Sequence, residues 1–345
     1  MTKTIHYGFA ALFALSGFVL AGIGLKPIFA DLLILSAYYL LLAGSWNLLA
    51  GFAGQYSFAH VGLAAAGAYG TAAIVNWAGL SGWTAFLVIP IFTAAIGGLL
   101  GLVALRVRGV QLPLITFAFA GAFAVFLAAA ADITGGSMGL QLPKLVAGFD
   151  RSPYLILAGI LIALFFVIQN LVLDGRLGLM MQSVRDDEEV ARGIGVDIFR
   201  VKITAFVITS ALAGLGGAFY ANYVGVLAPT MLTMSEMGMV VAMAVIGGLG
   251  HRYGALVGVL VIRALEHFVR GFGAEYTLVI ITGVTLVVVL FFREGIIAAF
   301  SRRFDRAVQQ KRWAERKGDL VTTRPGENLA APLLLQRRHL EKKNG

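Results

Sequence analysis

The stretch LLILSAYYLLLAGSWNLLAGFAGQYSFAHVGLAAAGAYG, residues 32–70, contains no charged side chain, and the charge-free run continues to residue 105. These 74 residues are long enough for about three bilayer crossings at roughly 20 residues each. A soluble protein would place charges on its surface helices, whereas 59% of this 345-residue chain is hydrophobic. The apolar runs are continuous rather than alternating, which excludes a membrane β-barrel. The sequence therefore predicts an all-α polytopic membrane protein.

Ten apolar segments follow one another along the chain, and together they predict a transmembrane domain of residues 1–300 with about ten helices. The first segment follows Lys3 and is either a retained helix or a signal peptide. The eighth and ninth segments are short, which indicates broken or irregular helices. The approximate ranges are 8–25, 32–50, 57–78, 84–105, 112–131, 153–173, 203–223, 236–250, 254–270 and 276–292.

Positive charges in the connections predict the orientation of these segments, because cytoplasmic loops are enriched in Lys and Arg. Arg106 and Arg108 follow the fourth segment, five basic residues lie in the block 174–202, and 12 lie in the tail 301–345. Even numbers of segments separate these three landmarks, so all three fit on the cytoplasmic side. Counting back from the fourth segment places the N-terminus on the same side. The basic tail therefore indicates a cytoplasmic segment rather than a nucleic-acid-binding surface. We expect this tail to be partly disordered.

The motifs of several enzyme classes are missing from the chain. It has no cysteine, so disulfides and thiolate metal sites are impossible. The dipeptide Gly-Lys never occurs, which excludes a phosphate-binding P-loop. The five histidines are dispersed. We therefore expect a chain that is not an enzyme, with no catalytic residues, no metal and no cofactor of its own.

Two polar stretches interrupt the apolar segments and are candidates for a substrate pathway. Residues 51–70 contain Gln55, Ser57 and His60, and they form either a broken, pathway-lining segment or an ordinary surface loop. Residues 132–143 contain Thr134 among glycines, which suits either a tight turn or a surface that contacts ligand.

Small and charged residues in the last third suggest how its helices pack. Gly250, Gly254 and Gly258 recur at four-residue spacing, which predicts a packing face on one helix. Arg263 and Glu266 are three residues apart and can pair on a helix face. Such a pair would be either structural or in contact with substrate.

A charged block stands out in this apolar chain: SVRDDEEVARGIGVDIFRVK, residues 183–202, has nine charged side chains in twenty. We expect a short helix that ends at Gly193 or Gly195 and carries an apolar stripe of Met181, Val184 and Ala191. This helix would either dock a partner or simply keep the connection in water.

Five ordered stretches over residues 30–295 resemble the permeases of bacterial ABC importers for branched-chain amino acids. The longest is RLGLMMQSVRDDEEVARGIGVDIFRVKITAFVITSALAGLGGAFYA, which resembles the cytoplasmic loop of that family. The others are GQYSFAHVGLAAAGAYGTA, RVRGVQLPLITFAFA, TGGSMGL and VIGGLGHRYGALVG. Importers of urea and short amides share these motifs.

The resemblance implies a ten-helix, type II-like importer fold in the bacterial cytoplasmic (inner) membrane. It implies two ABC ATPase subunits that bind ATP and Mg, a second homologous permease subunit and a periplasmic substrate-binding protein. The loop 174–202 would hold the coupling helix that contacts the ATPase, through the stretch that contains Arg185, Asp186, Asp187, Glu188, Ala191, Gly193 and Gly195. An ion-coupled secondary transporter and a membrane-embedded enzyme are the competing interpretations.

Overall fold

The computed structural model of the chain describes residues 2–104, 111–146, 150–229 and 233–269, and a few positions between 279 and 297. The chain divides into two compact units, Met1–Ile297 and Ala298–Gly345. The loop with Arg106 and Arg108, most of the segment predicted at 276–292, and the tail 301–345 lie outside the described residues.

Helices account for nine of the ten predicted segments within the described part of the chain, and two very short strands accompany them. The elements are α1 Thr2–Ile23, α2 Pro27–Asn47 with a π-helical turn Leu48–Phe52, α3 His60–Asn76, α4 Gly82–Ala104, α5 Gln111–Ala129, α6 Ala131–Thr134, a 3₁₀ turn Gly136–Met138, β1 Leu140–Gln141, α7 Ser152–Asp174, α8 Arg176–Asp186, α9 Glu188–Gly193, α10 Ile198–Val224, β2 Val226–Leu227, α11 Met234–Gly247 and α12 Gly254–Val269.

Six of the described helices are long and apolar enough to cross a membrane by length and composition. This confirms an all-α polytopic membrane protein, although it does not establish the predicted number of ten crossings. The α11 and α12 helices have 14 and 16 residues and are as short as the sequence predicted. At 1.5 Å per residue they extend only about 21 and 24 Å.

One end of the helix set carries the strands and is called the strand end. The β1 strand pairs antiparallel with β2, with Leu140 opposite Leu227. The side-chain amide of Asn76 at the end of α3 donates to the Gln141 carbonyl at 2.9 Å. Asp31 near the start of α2 forms a 2.5 Å ion pair with Arg151, next to α7. Polar contacts therefore join the connections at this end.

The opposite end carries the charged block and is called the α8–α9 end. Lys202, near the start of α10, pairs with Glu188 there, whereas β2 follows the other end of the same helix. The 27 residues of α10 separate the two ends by about 40 Å. His6 in α1 hydrogen-bonds to the Tyr253 hydroxyl at 2.7 Å, and the neighbouring Arg252 pairs with Asp174. The start of α1 thus lies at the same end of the helix set as the charged block, as predicted. That this end faces the cytoplasm stays a prediction.

Glycines permit close contacts between α10 and its neighbours α3 and α4. A Cβ added to Gly97 of α4 would lie 1.9 Å from the Ser210 hydroxyl of α10. One added to Gly217 of α10 would lie 1.8 Å from the Ala64 carbonyl of α3. Small residues allow such close approach in membranes, where dispersion contacts replace the hydrophobic effect as a driving force. The α10 helix is therefore held tightly against both α3 and α4.

The predicted glycine face exists only in part. A Cβ on Gly258 would lie 1.6 Å from the Met243 carbonyl, and one on Gly254 would lie 2.1 Å from the Gly248 carbonyl. Both glycines therefore pack α12 against α11. Gly250 lies in the turn before α12, with φ +74°, instead of on the helix face. The chain must turn sharply there, and the left-handed backbone region favours glycine.

Candidate coupling site and substrate pathway

The charged block folds as two helices, α8 and α9, instead of the single short helix expected from the sequence. The chain turns at Asp187, whose carboxylate accepts hydrogen bonds from the N–H groups of Glu189 at 2.8 Å and Val190 at 3.0 Å. Such an N-cap contributes about 1 kcal/mol to helix stability. Gly193 ends α9 as predicted, and Gly195 follows in a turn at φ +87°.

The predicted apolar stripe attaches both helices to the rest of the protein. Met181 and Val184 of α8 and Ala191 of α9 are 0%, 2% and 1% exposed. They belong to one apolar cluster with Leu49 and Phe52 of the π-helical turn. The stripe is therefore real, although two helices contribute to it, and it holds the charged block against the end of α2.

Three acidic side chains of the block form contacts within the block itself. Asp186 pairs with Arg185 at 2.8 Å, and Asp187 caps α9. Glu188 pairs at 2.5 Å with Lys202, which is only 8% exposed. These contacts stabilise the local fold, and a contact between the same carboxylates and a partner protein stays a prediction.

Two exposed apolar side chains, one in α9 and one directly after it, were not singled out from the sequence. Val190 is 63% exposed and Ile194 is 72% exposed. They are four residues apart and therefore lie on one face. Their signal in the sequence is that they are apolar residues within a charged stretch. This exposed pair, Val190 and Ile194, can bury apolar surface against a partner.

Three distant parts of the chain meet beside Arg185. Its guanidinium Nη1 donates to the Gly51 carbonyl in the π-helical turn at 2.9 Å. The buried Asn47 side chain accepts from the Gly250 N–H at 2.8 Å and donates to the His251 carbonyl at 3.0 Å. We call these five residues the inner junction. It joins α8, the end of α2 and the α11–α12 turn.

Of the two alternatives for residues 51–70, the structure shows an interrupted helix. The backbone is non-helical from Gly54 to Ala59, and Gly54 has φ +68°. Trp46 donates its indole N–H to the Ser57 carbonyl at 2.7 Å, so the segment folds back along the end of α2. The N–H of Phe58 donates to the Thr116 hydroxyl of α5 at 2.9 Å. We call residues 53–59 the buried break; π-turns such as 48–52 beside it frequently occur at functional sites.

Three of the predicted pathway residues lie in or next to this break. Gln55, Ser57 and His60 are 6%, 1% and 0% exposed. The Ser57 hydroxyl accepts from the Ala59 N–H at 3.2 Å. Neither ring nitrogen of His60 forms a hydrogen bond with any described residue. An unpaired buried polar group costs about 1–3 kcal/mol and requires an explanation. Contact with substrate is the explanation that the prediction offers.

Thr134 does not join the other three. Its hydroxyl lies 2.5 Å from the Leu127 carbonyl, and it lines a separate cavity with Tyr69 and Gly70. Tyr69 is nine residues beyond His60 on α3, which corresponds to about 14 Å along the helix. The structure therefore separates Thr134 from the buried break by much of the length of α3.

A second cavity of about 190 Å³ lies directly beside the buried break. For comparison, an apolar cavity of about 150 Å³ in another protein holds a benzene molecule. The available space therefore suits a branched aliphatic side chain. The cavity is lined by residues of the break, α3, α5 and the start of α11: Phe58, Val61, Phe117, Ala120, Gly121, Thr233 and Met237.

Ionisable side chains also meet inside the helix set, at α2, α11 and α12. Arg263 and Glu266 form the predicted ion pair, and the Arg263 guanidinium lies 5.2 Å from the centre of the Tyr39 ring. Tyr39 donates to the Glu236 carboxylate at 3.1 Å. In the described part of the chain, no group of three or more Asp, Glu, His or Cys side chains is arranged to hold a metal ion.

Most of the chain is similar in sequence to known proteins. Residues 28–290 match the family described as the permease component of branched-chain amino acid transport systems. The chain is 28% identical over 296 residues to the high-affinity branched-chain amino acid transport permease LivM of Escherichia coli K12, covering 77% of this chain and 69% of that protein. It is 27% identical over 284 residues to LivH of the same strain, covering 76% and 92%. BraD of Pseudomonas aeruginosa is 27% identical over 292 residues, covering 77% and 93%. No solved structure matches the chain.

Proposed function

Since the chain belongs to the family of permease components of branched-chain amino acid transport systems, we propose that it is the membrane-spanning subunit of an ATP-driven importer. It carries a branched-chain or other apolar amino acid into the cytoplasm, and separate ABC ATPase subunits bind ATP and Mg. A second permease subunit and a periplasmic binding protein complete the complex. The α8–α9 end faces the cytoplasm of the bacterium.

The observation that carries this proposal is the construction of the α8–α9 end. Its two helices are fixed to the helix set by the buried side chains of Met181, Val184 and Ala191, and the apolar side chains of Val190 and Ile194 are exposed. A connection that only joined two helices would not need an exposed apolar pair held on a rigid base. Burial of such apolar surface against a partner would favour association by about 25 cal/mol for each Å² removed from water.

Co-purification tests the docking surface. We expect Val190→Asp with Ile194→Asp to abolish capture of the ATPase subunit, because two charges would be buried without partners. The double variant should still insert into the membrane, since both side chains are exposed in this subunit. Leu80→Asp is the control, because Leu80 is 51% exposed in the connection between α3 and α4. Normal capture of the ATPase by the double variant would contradict the proposed surface.

Uptake by the reconstituted complex tests the substrate and the energy source. We expect uptake of leucine, isoleucine or valine that requires ATP. Competition by urea or acetamide would instead indicate an importer of urea or short amides with the same architecture. The ionisable cluster of Tyr39, Glu236, Arg263 and Glu266 is the observation that favours an ion-coupled transporter instead. Uptake by this chain alone, driven by a proton gradient without an ATPase, would establish that second function and refute the first.

A further inference from the structure

We infer that Arg185 is a positioning residue for transport, which transmits the movement of α8 and α9 to the buried break at residues 53–59. This inference rests on the proposed coupling function of the α8–α9 end. It assigns Arg185 to an internal connection between the docking surface and the substrate pathway, instead of to the contact with the ATPase.

The contacts of Arg185 reach both the π-helical turn before the break and its neighbour Asp186. Its guanidinium Nη1 donates to the Gly51 carbonyl at 2.9 Å, while Nε and Nη2 donate to Asp186 at 3.0 and 2.8 Å. A Cβ built on Gly54 would lie 3.1 Å from the Arg185 Cα and 3.3 Å from its Cβ. The last turn of α8 therefore touches both the π-helical turn and the first residues of the break.

The carbonyl that Arg185 binds is one of the acceptors at the end of α2. The last carbonyls of a helix have no partner within that helix, so they accept bonds from elsewhere. A charged donor makes the stronger class of hydrogen bond to such a group. The bond from Arg185 therefore fixes the end of α2 to α8, next to the point where the helix ends and the break begins.

Gly51 has little freedom to move independently of its neighbours. A Cβ added to it would lie 2.4 Å from both the Asn47 side-chain oxygen and the Gly250 nitrogen. Asn47 in turn binds the α11–α12 turn at Gly250 and His251. When α8 is displaced, it must either break the bond to Gly51 or move the whole inner junction with it.

The break then moves with the junction, because it is attached at its other side as well. Trp46, one residue before Asn47, holds the Ser57 carbonyl at 2.7 Å. Ser57 lies between Gln55 and His60, and the neighbouring Phe58 lines the 190 Å³ cavity. A displacement of α8 therefore reaches the cavity wall through a continuous set of hydrogen bonds and close backbone contacts.

The first test separates coupling from assembly in the complete complex reconstituted in vesicles. We expect Arg185→Met to bind the ATPase and hydrolyse ATP like the parent, while amino acid uptake per ATP falls about tenfold because the charge-assisted bond to the Gly51 carbonyl is lost. Arg185→Lys keeps a charged donor and should retain an intermediate ratio. Arg176→Met is the matched control, because Arg176 is exposed at the start of the same helix α8, and its ratio should not change.

Two outcomes would overturn the inference. If Arg185→Met keeps the parental uptake per ATP, the residue does not transmit movement. If both Arg185 variants lose the ATPase, Arg185 is a docking residue instead. Failure of the parent protein to bind any ATPase would refute the proposed function, which is a different result.

A second test replaces the natural connection with a covalent one, and the absence of native cysteine makes it specific. In the variant Gly54→Cys with Arg185→Cys, the two Cβ positions lie 3.3 Å apart, close to the distance of about 3.5–4.5 Å in disulfides. Oxidation should form the disulfide and raise uptake per ATP above that of the reduced protein. Gly54→Cys alone controls for strain at φ +68°. Complete cross-linking without any recovery would refute the transmission role.

Discussion

The packing of α12 against α11 gives a prediction whose size follows from the structure. In Gly258→Ala, the new Cβ would lie 1.6 Å from the Met243 carbonyl oxygen, whereas ordinary contacts begin at 3.4 Å. Because that oxygen belongs to the backbone, α11 and α12 must separate locally by up to about 1.8 Å. Overpacking of this kind costs about 1–3 kcal/mol, and the widened gap loses further dispersion contacts. We expect a loss at the upper end of that range.

Unfolding of the purified protein in detergent, followed by circular dichroism, measures this loss. Gly238→Ala is the matched control, since Gly238 lies in α11 and an added Cβ would meet nothing within 4 Å. Alanine favours a helix interior by about 0.8–1.0 kcal/mol over glycine, so the control should be neutral or stabilising. A Gly258→Ala protein as stable as the parent, or equal losses in both variants, would refute the packing argument.

Three further predictions concern the junction, the orientation and the cavity. Asn47→Ala should destabilise the protein by about 1–3 kcal/mol in the same assay, because two partly buried backbone groups lose their hydrogen-bond partners; Ser45→Ala, which removes a bond to its own helix, should cost less. Cysteines introduced at Glu188 and Leu140 should react with membrane-impermeant reagents from opposite sides of the membrane, and labelling from the same side would overturn the orientation. Gly121→Val should reduce leucine uptake more than alanine uptake by narrowing the cavity, whereas equal losses would separate the cavity from the substrate route.

The pattern of apolar runs predicted the helices well because membrane insertion acts on local composition. The helices α2, α4 and α7 begin and end within a few residues of their predicted bounds. The broken segment after α2 was also readable, since Gln55, Ser57 and His60 interrupt an apolar run. In each case the signal and its structural cause lie within about 25 residues of chain.

The features that sequence reasoning missed depend on backbone turns or on distant partners. Gly250 has the spacing of a helix face, but the sharp turn before α12 removes it from the helix. The division between α8 and α9 arises because the Asp187 side chain competes for backbone N–H groups, a role typical of aspartate at helix starts. The hydrogen bond from Arg185 to the Gly51 carbonyl, 134 residues away in sequence, was not foreseen, and the contact of Arg185 with the ATPase stays a prediction. One sequence does not reveal such pairings.

The contacts of Asn47 have a consequence for the synthesis of the protein. Its two partners, Gly250 and His251, lie 203 and 204 residues later in the chain. At about 5–20 residues per second, a ribosome needs roughly 10–40 seconds to make that length. Throughout this interval the newly inserted α2 has a polar amide at its end that must be hydrated or held by the insertion machinery. The inner junction can therefore close only when the α11–α12 turn has been synthesised, long after α2 has entered the membrane.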